Sequence, residues 1–319
     1  MTVSVQQLRA FVATLDAGSF TAAAAALGVG QSAVSHAVAG LEREVGGPVV
    51  RRGTVAAATP LGDRLLAHAR SVLASVEALE AVVRPATARG TVRLAAVPTV
   101  CQGLLPRLRE LWAVTLPDVD VQVYEGDDDE MPEWLEAGTV DAAVLVDPSP
   151  VPEGGVVVAR DEMAAVIRRD HPLAELPALT LNDLHEDGLV AGGGGCEYQI
   201  QKLHELDGRP FRYAHRVREM STMFGMIQRG EGVSIVPTLG RGMLPPDLVM
   251  IPMARRLERT LVLSGPSSRA WHPLARALVD AVLGGRAGRR SSGSGGSGGS
   301  GGSDLRRIRS STRLPRLGA

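Results

Sequence analysis

The period of the apolar pattern changes near Gly90, and that change constrains the fold more than any other feature of the chain. Before it, apolar residues recur at helical spacing. After it, short apolar runs alternate with amphipathic stretches. A helical unit followed by alternating strands and helices is the signature of two different architectures in one polypeptide.

In the first part, Val5, Leu8, Phe11, Val12 and Leu15 mark one helix, stopped by Gly18. Thr21 is the expected cap of a short second helix through the alanine run 22–26, which Gly28 and Gly30 end. A third helix spans 31–45, with Val34, Val38, Leu41 and Val45 on its apolar side and Gln31, Ser32, Ser35 and His36 elsewhere. Two helices joined by a tight glycine-containing turn give a helix-turn-helix. Gly46-Gly47-Pro48 ends the third helix, and residues 49–58 fit a two-stranded wing. Thr59-Pro60 then opens a long helix with the stripe Leu61, Leu65, Val72, Val76, Leu79 and Val83. At ~1.5 Å per residue it is about 37 Å long. Such a helix, apolar along one edge, suits pairing with a second copy.

Beyond Gly90 the expected strands are 92–97, 119–124, 140–146, 156–158, 164–167, 189–191, 212–217, 233–236 and 261–263. Helices are expected near 102–114, 130–137, 196–206, 220–229 and 271–283. The alternation argues for parallel α/β sheets with crossovers. The tail, 284–319, holds a Gly/Ser repeat and an arginine-rich end with too few apolar residues to fold alone; it reads as disordered.

The net charge of −1 conceals a segregation. Residues 286–319 carry eight arginines against one acid, residues 1–84 balance at +1, and residues 85–283 come to −9. The acidic middle repels a polyanion, so nucleic-acid contact is confined to the ends. With aromatics at 3%, base-stacking modes are disfavoured and duplex DNA is the better partner. No run reaches the ~18–20 apolar residues of a spanning helix, and the N-terminus lacks a signal-peptide pattern. A cytoplasmic protein with no membrane partner is expected.

Within residues 4–46, Leu8 and Phe11, Gly18-Ser19-Phe20-Thr21, Ala22-Ala23, Gln31, Ala33-Val34-Ser35-His36, Leu41-Glu42 and Gly46 resemble the N-terminal domain of LysR-type transcriptional regulators. Thr59-Pro60 through Gly62 and the α/β remainder extend the resemblance over residues 1–283. It implies an all-α winged helix-turn-helix domain (1–58) and a linker and dimerisation helix (59–84). An α/β effector-binding domain similar to periplasmic binding proteins follows (90–283). Its first subdomain would comprise about 90–159 and 265–283, its second about 160–264. The implied partners are double-stranded DNA, a small-molecule effector, and further copies in a homodimer or homotetramer.

The resemblance also assigns site residues. A recognition helix presents short polar side chains to base edges in the major groove, here Gln31, Ser32, Ser35 and His36, with Arg51 and Arg52 of the wing toward phosphate. Gly30 and Ser32 stand where the family commonly has a serine cap and a proline. The wing is short and weakly charged, so few phosphate contacts are expected. For the effector, the implied set is Thr99, Val100, Cys101 and Gln102 after the first strand, Gly194 in the run 192–195, Met220, Ser221 and Thr222, and Pro237. The helix N-terminus at Thr99 suits an anion.

Catalysis and cofactors leave no trace: there is no G-x-S-x-G elbow, H-E-x-x-H helix or paired C-x-x-C, and the four glycines lack the lysine of a phosphate loop. His171, His185, His204 and His215 lie in separate elements, and Asp127-Asp128-Asp129-Glu130 reads as a solvated helix start. A ligand-responsive, sequence-specific regulator is the reading; no metal, cofactor or enzymatic role is expected. The alternatives are a sequence-indifferent architectural DNA-binding protein, or an enzyme using Cys101 as a thiolate activated at a helix N-terminus.

Overall fold

A computed structural model describes residues 2–51, 53–83, 89–193 and 195–291. The head consists of α1 (Val5–Asp16), α2 (Phe20–Leu27) and α3 (Gln31–Val45), followed by a ribbon of β1 (Val50–Arg51) and β2 (Ala57–Ala58). Each helix start has a local cause. Ser4 and Gln7 form a reciprocal capping box on α1. The cap of α2 is Ser19, whose hydroxyl accepts from Ala22 N at 3.1 Å, so the expected cap at Thr21 is corrected by two residues. Gly30 caps α3 without a side-chain bond. Phe11, Val34, Val38, Leu41 and Val49 close the core at 0–1% exposure, an apolar burial that is the main source of the head's stability. Glu42 ties the wing to α3, accepting from Val49 N at 3.0 Å.

The long helix α4 (Pro60–Val83) begins under Thr59, whose hydroxyl accepts from Gly62 N at 3.0 Å and donates to Pro48 O at 2.6 Å. Its edge divides into two faces. Leu61, Leu65, Leu66, Ala69 and Leu73 pack on the head, whereas Val72 and Leu79 are exposed. Leu65 therefore belongs to the head core rather than to a surface for a second copy.

The remainder forms two subdomains on one extended sheet, ordered β10-β6-β11-β5-β3-β4, with β9 also on β6. The strands are β3 (Gly90–Ala96), β4 (Val119–Glu125), β5 (Ala142–Val146), β6 (Val156–Arg168), β9 (Ser234–Pro237), β10 (Leu248–Pro252) and β11 (Glu258–Ser264). A separate parallel pair joins β7 (Val190–Gly192) to β8 (His215–Val217). The first subdomain packs β3, β4 and β5 against α5 (Pro98–Gly103), α6 (Leu105–Thr115), α7 (Glu130–Glu136) and α10 (Pro273–Ser291). The second packs α8 (Gly195–Leu206) and α9 (Met220–Gln228) on opposite sides of β6, β9 and β10.

Four expectations change here. The strands expected at 156–158 and 164–167 are one strand, β6, whose polar centre Arg160-Asp161-Glu162 pairs with β11 through the antiparallel register Glu162↔Glu258 to Arg160↔Thr260. The sheet is mixed: β3 pairs in parallel with β4 and β5, but β6 is antiparallel to β9, β10 and β11. The helix expected at 102–114 is two helices broken at Leu104, with Pro106 in the first turn of the second. Finally, α10 continues to Ser291, past the expected start of a disordered tail at 284. Its buried side, Ala275, Leu278, Val279 and Val282, lies on the first subdomain, and Trp112 Nε1 donates to Leu278 O at 3.1 Å.

Head and sensor meet at Arg70 of α4. Its guanidinium donates to Asp16 at 2.5 Å and reaches Thr139 Oγ1 at 3.4 Å in the turn between α7 and β5. Gly138, at φ +71°, lies under the Arg70 backbone, where a Cβ would stand 3.2 Å from it. Among the described residues no single helix is long and apolar enough to cross a membrane.

Gly62 is the tightest position in the head: a Cβ there would fall 2.1 Å from Val49 O. Gly62→Ala should lower the stability of the head by ~1–3 kcal/mol through forced displacement of the wing. Thermal unfolding followed by circular dichroism will show it as an earlier first transition, and an unchanged melt would mean that the wing yields without cost.

Candidate functional site

The first turns of α3 put Gln31, Ser32 and His36 on the outside, with Ser35 half-buried, because Val34, Val38 and Leu41 take the inner side of the helix. Gln31 Nε2 donates to Ser35 Oγ at 3.1 Å, which aligns two of these polar groups along one edge. Arg51 is exposed on β1; Arg52 lies outside the described residues. The exposed polar start of this helix, beside a short ribbon, has the shape that enters a major groove.

The second site is the cleft between the subdomains. Its cavity, about 50 Å³, is lined from the first subdomain by Val97, Pro98, Thr99, Asp127, Asp128 and Val146. The second subdomain contributes Gly193, Cys196, Arg218 and Met220, and Arg259 on the crossing strand β11 forms part of the wall. Arg259 is the structural centre. Asp161 stands directly opposite it on β6 and binds it through two hydrogen bonds, from Nε at 2.9 Å and Nη2 at 2.8 Å, with both side chains 3% exposed. The second oxygen of Asp161 also accepts from Leu239 N at 3.2 Å, and Arg259 Nη2 lies 3.5 Å from Thr99 Oγ1. The pair thus anchors the 3-10 turn Thr238–Met243 and the first turn of α5, which carries Thr99, to the same point.

Two polar contacts span the cleft. Arg218, before α9, meets Asp127, after β4, at 3.2 Å. Gln199 of α8 donates from Nε2 to Asp147 at 2.8 Å, while the other Asp147 oxygen accepts from Thr260 N at 2.6 Å. Asp147 adopts φ 44°, a conformation that non-glycine residues rarely take.

Of the effector residues expected from sequence, Thr99 and Met220 line this cavity. Val100 is fully buried in the first subdomain's core. Cys101 packs against the same core and donates to Ala96 O. Gln102, Ser221 and Thr222 are exposed outside the lining, Pro237 is paired to Met163 in the sheet, and Gly194 lies outside the described residues. The geometry adds Asp127, Asp128, Cys196, Arg218 and Arg259. Asp127 and Asp128 had read as a solvated helix start; the strand turn before α7 instead brings them to the cleft. Arg259 is not distinctive in sequence, because it stands among Arg255, Arg256 and Glu258 and reads as the charged edge of a strand.

Both cysteine thiols are pushed up to about 11. Burial is the main cause, reinforced at Cys101 by the carboxylate of Glu125 and opposed at Cys196 by Arg259. A thiol so placed is held protonated rather than activated, which argues against the thiolate role considered for Cys101. Among the described residues no cluster of His, Cys, Asp and Glu side chains could hold a metal ion.

A helix-turn-helix head on a long helix, joined to two subdomains hinged by crossing strands over a cleft, defines a DNA-binding protein with a ligand-sensing domain. Residues 5–63 match the family model "Bacterial regulatory helix-turn-helix protein, lysR family", and residues 85–286 match "LysR substrate binding domain". The chain belongs to the LysR family: it is a ligand-responsive, DNA-binding transcriptional regulator with an effector-binding domain. It is 29% identical to the uncharacterized HTH-type transcriptional regulator YvbU of Bacillus subtilis, across 87% of this chain and 97% of that one. It is 32% identical to a probable hydrogen peroxide-inducible genes activator of Streptomyces viridosporus, across 73% and 77%. In fold it is similar to full-length OxyR from Pseudomonas aeruginosa, with a TM-score of 0.70, 21% identity and 88% and 95% coverage. It is also similar to full-length CbnR complexed with its target DNA, at 0.59, 24%, 88% and 99%.

Asp161→Asn should cost ~3–5 kcal/mol, because it leaves the Arg259 charge buried without compensation. Urea unfolding will measure the loss, and a value below about 1 kcal/mol would mean that water already reaches the pair. Alkylation gives a second check. With a pKa of about 11 only ~0.1% of either thiol is thiolate at pH 8, so iodoacetamide should label the native protein far more slowly than the denatured one. Rapid native labelling of Cys101 would restore the thiolate reading.

Proposed function

We propose that the regulator reads a two-fold operator with the exposed start of α3, Gln31, Ser32, Ser35 and His36 facing base edges and Arg51, with Arg52, facing phosphate. The observation that carries this is the clean division of α3, with Val34, Val38 and Leu41 in the head core and the polar residues of its first turns outside. Two such heads, paired along the exposed edge of α4 at Val72 and Leu79 in a homodimer or homotetramer, would meet two half-sites of a dyad. The protein works in the cytoplasm, where its DNA is, and binds and signals without chemical turnover. Its domains are the head 1–58, the helix 59–84 and the sensor 90–283, with subdomains divided near residues 159 and 264.

The effector sits in the cleft beside Thr99 and Met220. Its binding favours one separation of the subdomains, by no more than its difference in affinity for the open and closed states. Arg70 is the link to the head, since it touches Asp16 in α1 and Thr139 in the sensor at once.

His36→Ala and Ser32→Ala should each weaken binding to the promoter DNA beside the protein's own gene by ~1–3 kcal/mol while the oligomer persists. Footprinting and sedimentation read the two effects separately, and undiminished protection would remove α3 from the role of reader. A binding curve that is steep in salt but indifferent to sequence would select the architectural alternative.

A further inference from the structure

The cleft carries a pattern of charge that restricts what can occupy it. Arg259 is already neutralised by Asp161 deep in the wall. The remaining arginine of the lining, Arg218, faces Asp127 across the opening at 3.2 Å, with side chains 69% and 30% exposed. A pair so exposed is screened by water and worth little, so it parts readily. Asp128 lies beside Asp127 in the same lining, so a simple anion that parts the pair gains Arg218 but is left against two carboxylates, while a simple cation takes Asp127 from Arg218. A ligand with both charges supplies Arg218 and Asp127 each with a partner and adds no net charge to the site.

We infer that the cleft takes a zwitterion, an α-amino acid with a small apolar side chain, whose carboxylate meets Arg218 and Thr99 and whose ammonium meets Asp127. The inference rests on the cleft reading above and names its ligand class. Thr99 is 3% exposed and accepts from Arg259, which leaves its own O–H to donate to a carboxylate. Independently, Gln199 is 2% exposed and its Oε1 has no hydrogen-bond partner, although its Nε2 is held by Asp147. A buried amide oxygen without a donor is a costly arrangement. Gln199 lies one turn beyond Cys196 on α8, and Asp147 follows Val146, both lining residues, so this acceptor sits behind the lining, on the segments that build it, and an opening of the cleft would let an ammonium supply the missing donor. Val97, Pro98, Val146 and Met220 provide an apolar wall for the side chain. The present cavity, about 50 Å³, is too small for an amino acid, so entry requires the Asp127–Arg218 contact to open.

The test is thermal unfolding of the full chain with each of the twenty protein amino acids. Valine and alanine are run beside their matched halves: 2-methylpropan-1-amine and 3-methylbutanoate for valine, ethylamine and propanoate for alanine, at constant ionic strength. At least one small apolar amino acid should raise the melting temperature, with its amine and its carboxylic acid at least tenfold weaker. Both test residues are solvent-accessible, so Asp127→Asn and Arg218→Gln should fold. Asp127→Asn should erase the preference for valine over 3-methylbutanoate, and Arg218→Gln its preference over the amine. A carboxylic acid that binds wild type as well as its amino acid, and loses binding in Thr99→Val, would overturn the zwitterion while leaving the cleft as the effector site. Amino-acid binding unaffected by Asp127→Asn, Arg218→Gln and Thr99→Val would overturn the cleft as well. No shift with any of the twenty overturns the inference.

Discussion

The buried pair of Asp161 and Arg259 is the interaction on which the sensor depends. Two charges at 3% exposure are tolerable only because they face each other in register on adjacent antiparallel strands and share two hydrogen bonds. Replacing both by apolar residues could leave stability unchanged. What the pair contributes is position. It sits where β6 and β11 cross between subdomains, and from it hang the 3-10 turn through Leu239 N and the start of α5 through the Thr99 hydroxyl. The floor of the cleft is therefore fixed, while the contact at its mouth, Asp127 to Arg218, is exposed and parts readily.

This arrangement explains what the sequence could and could not reveal. The head was legible because its period is short and local: apolar spacing, Ser4 and Gln7, the αL glycines Gly28 and Gly46 and the Thr59-Pro60 start each act within a few residues. The first half of the sensor was legible for the same reason. The crossing strand was not. Arg160-Asp161-Glu162 interrupts an apolar run and looks like a loop, and only the partner strand, about a hundred positions away, makes those residues a continuous strand. β10 too is a strand through its pairing with β6, about eighty positions earlier, rather than through any alternation of its own. Likewise Asp127 and Asp128 read as surface acids until the fold placed them opposite Arg218. Resemblance brought Thr99 and Met220 to the cleft, yet it also nominated Val100, whose side chain turns into the core, because a register of residues does not say which side of a six-residue helix faces the ligand.

Charge segregation acquires a physical role in this frame. A nearly neutral head gains little from general attraction to phosphate, so its discrimination must come from the polar first turns of α3. The acidic sensor is repelled by DNA. Movement of the sensor can still reach the head through Arg70, since α4 packs on the head core along Leu61, Leu65 and Leu73 and carries the Arg70 guanidinium, which binds Asp16 and Thr139 together. Gly138 permits the close approach that this contact needs.

The central claim is that paired heads read a specific duplex sequence. Selection of bound molecules from a library of random DNA duplexes, at near-physiological salt, tests it most directly. The account predicts enrichment of a dyad-symmetric sequence with two half-sites about one helical turn, or a multiple of it, apart. Recovery of sequences no different from the starting library would contradict it.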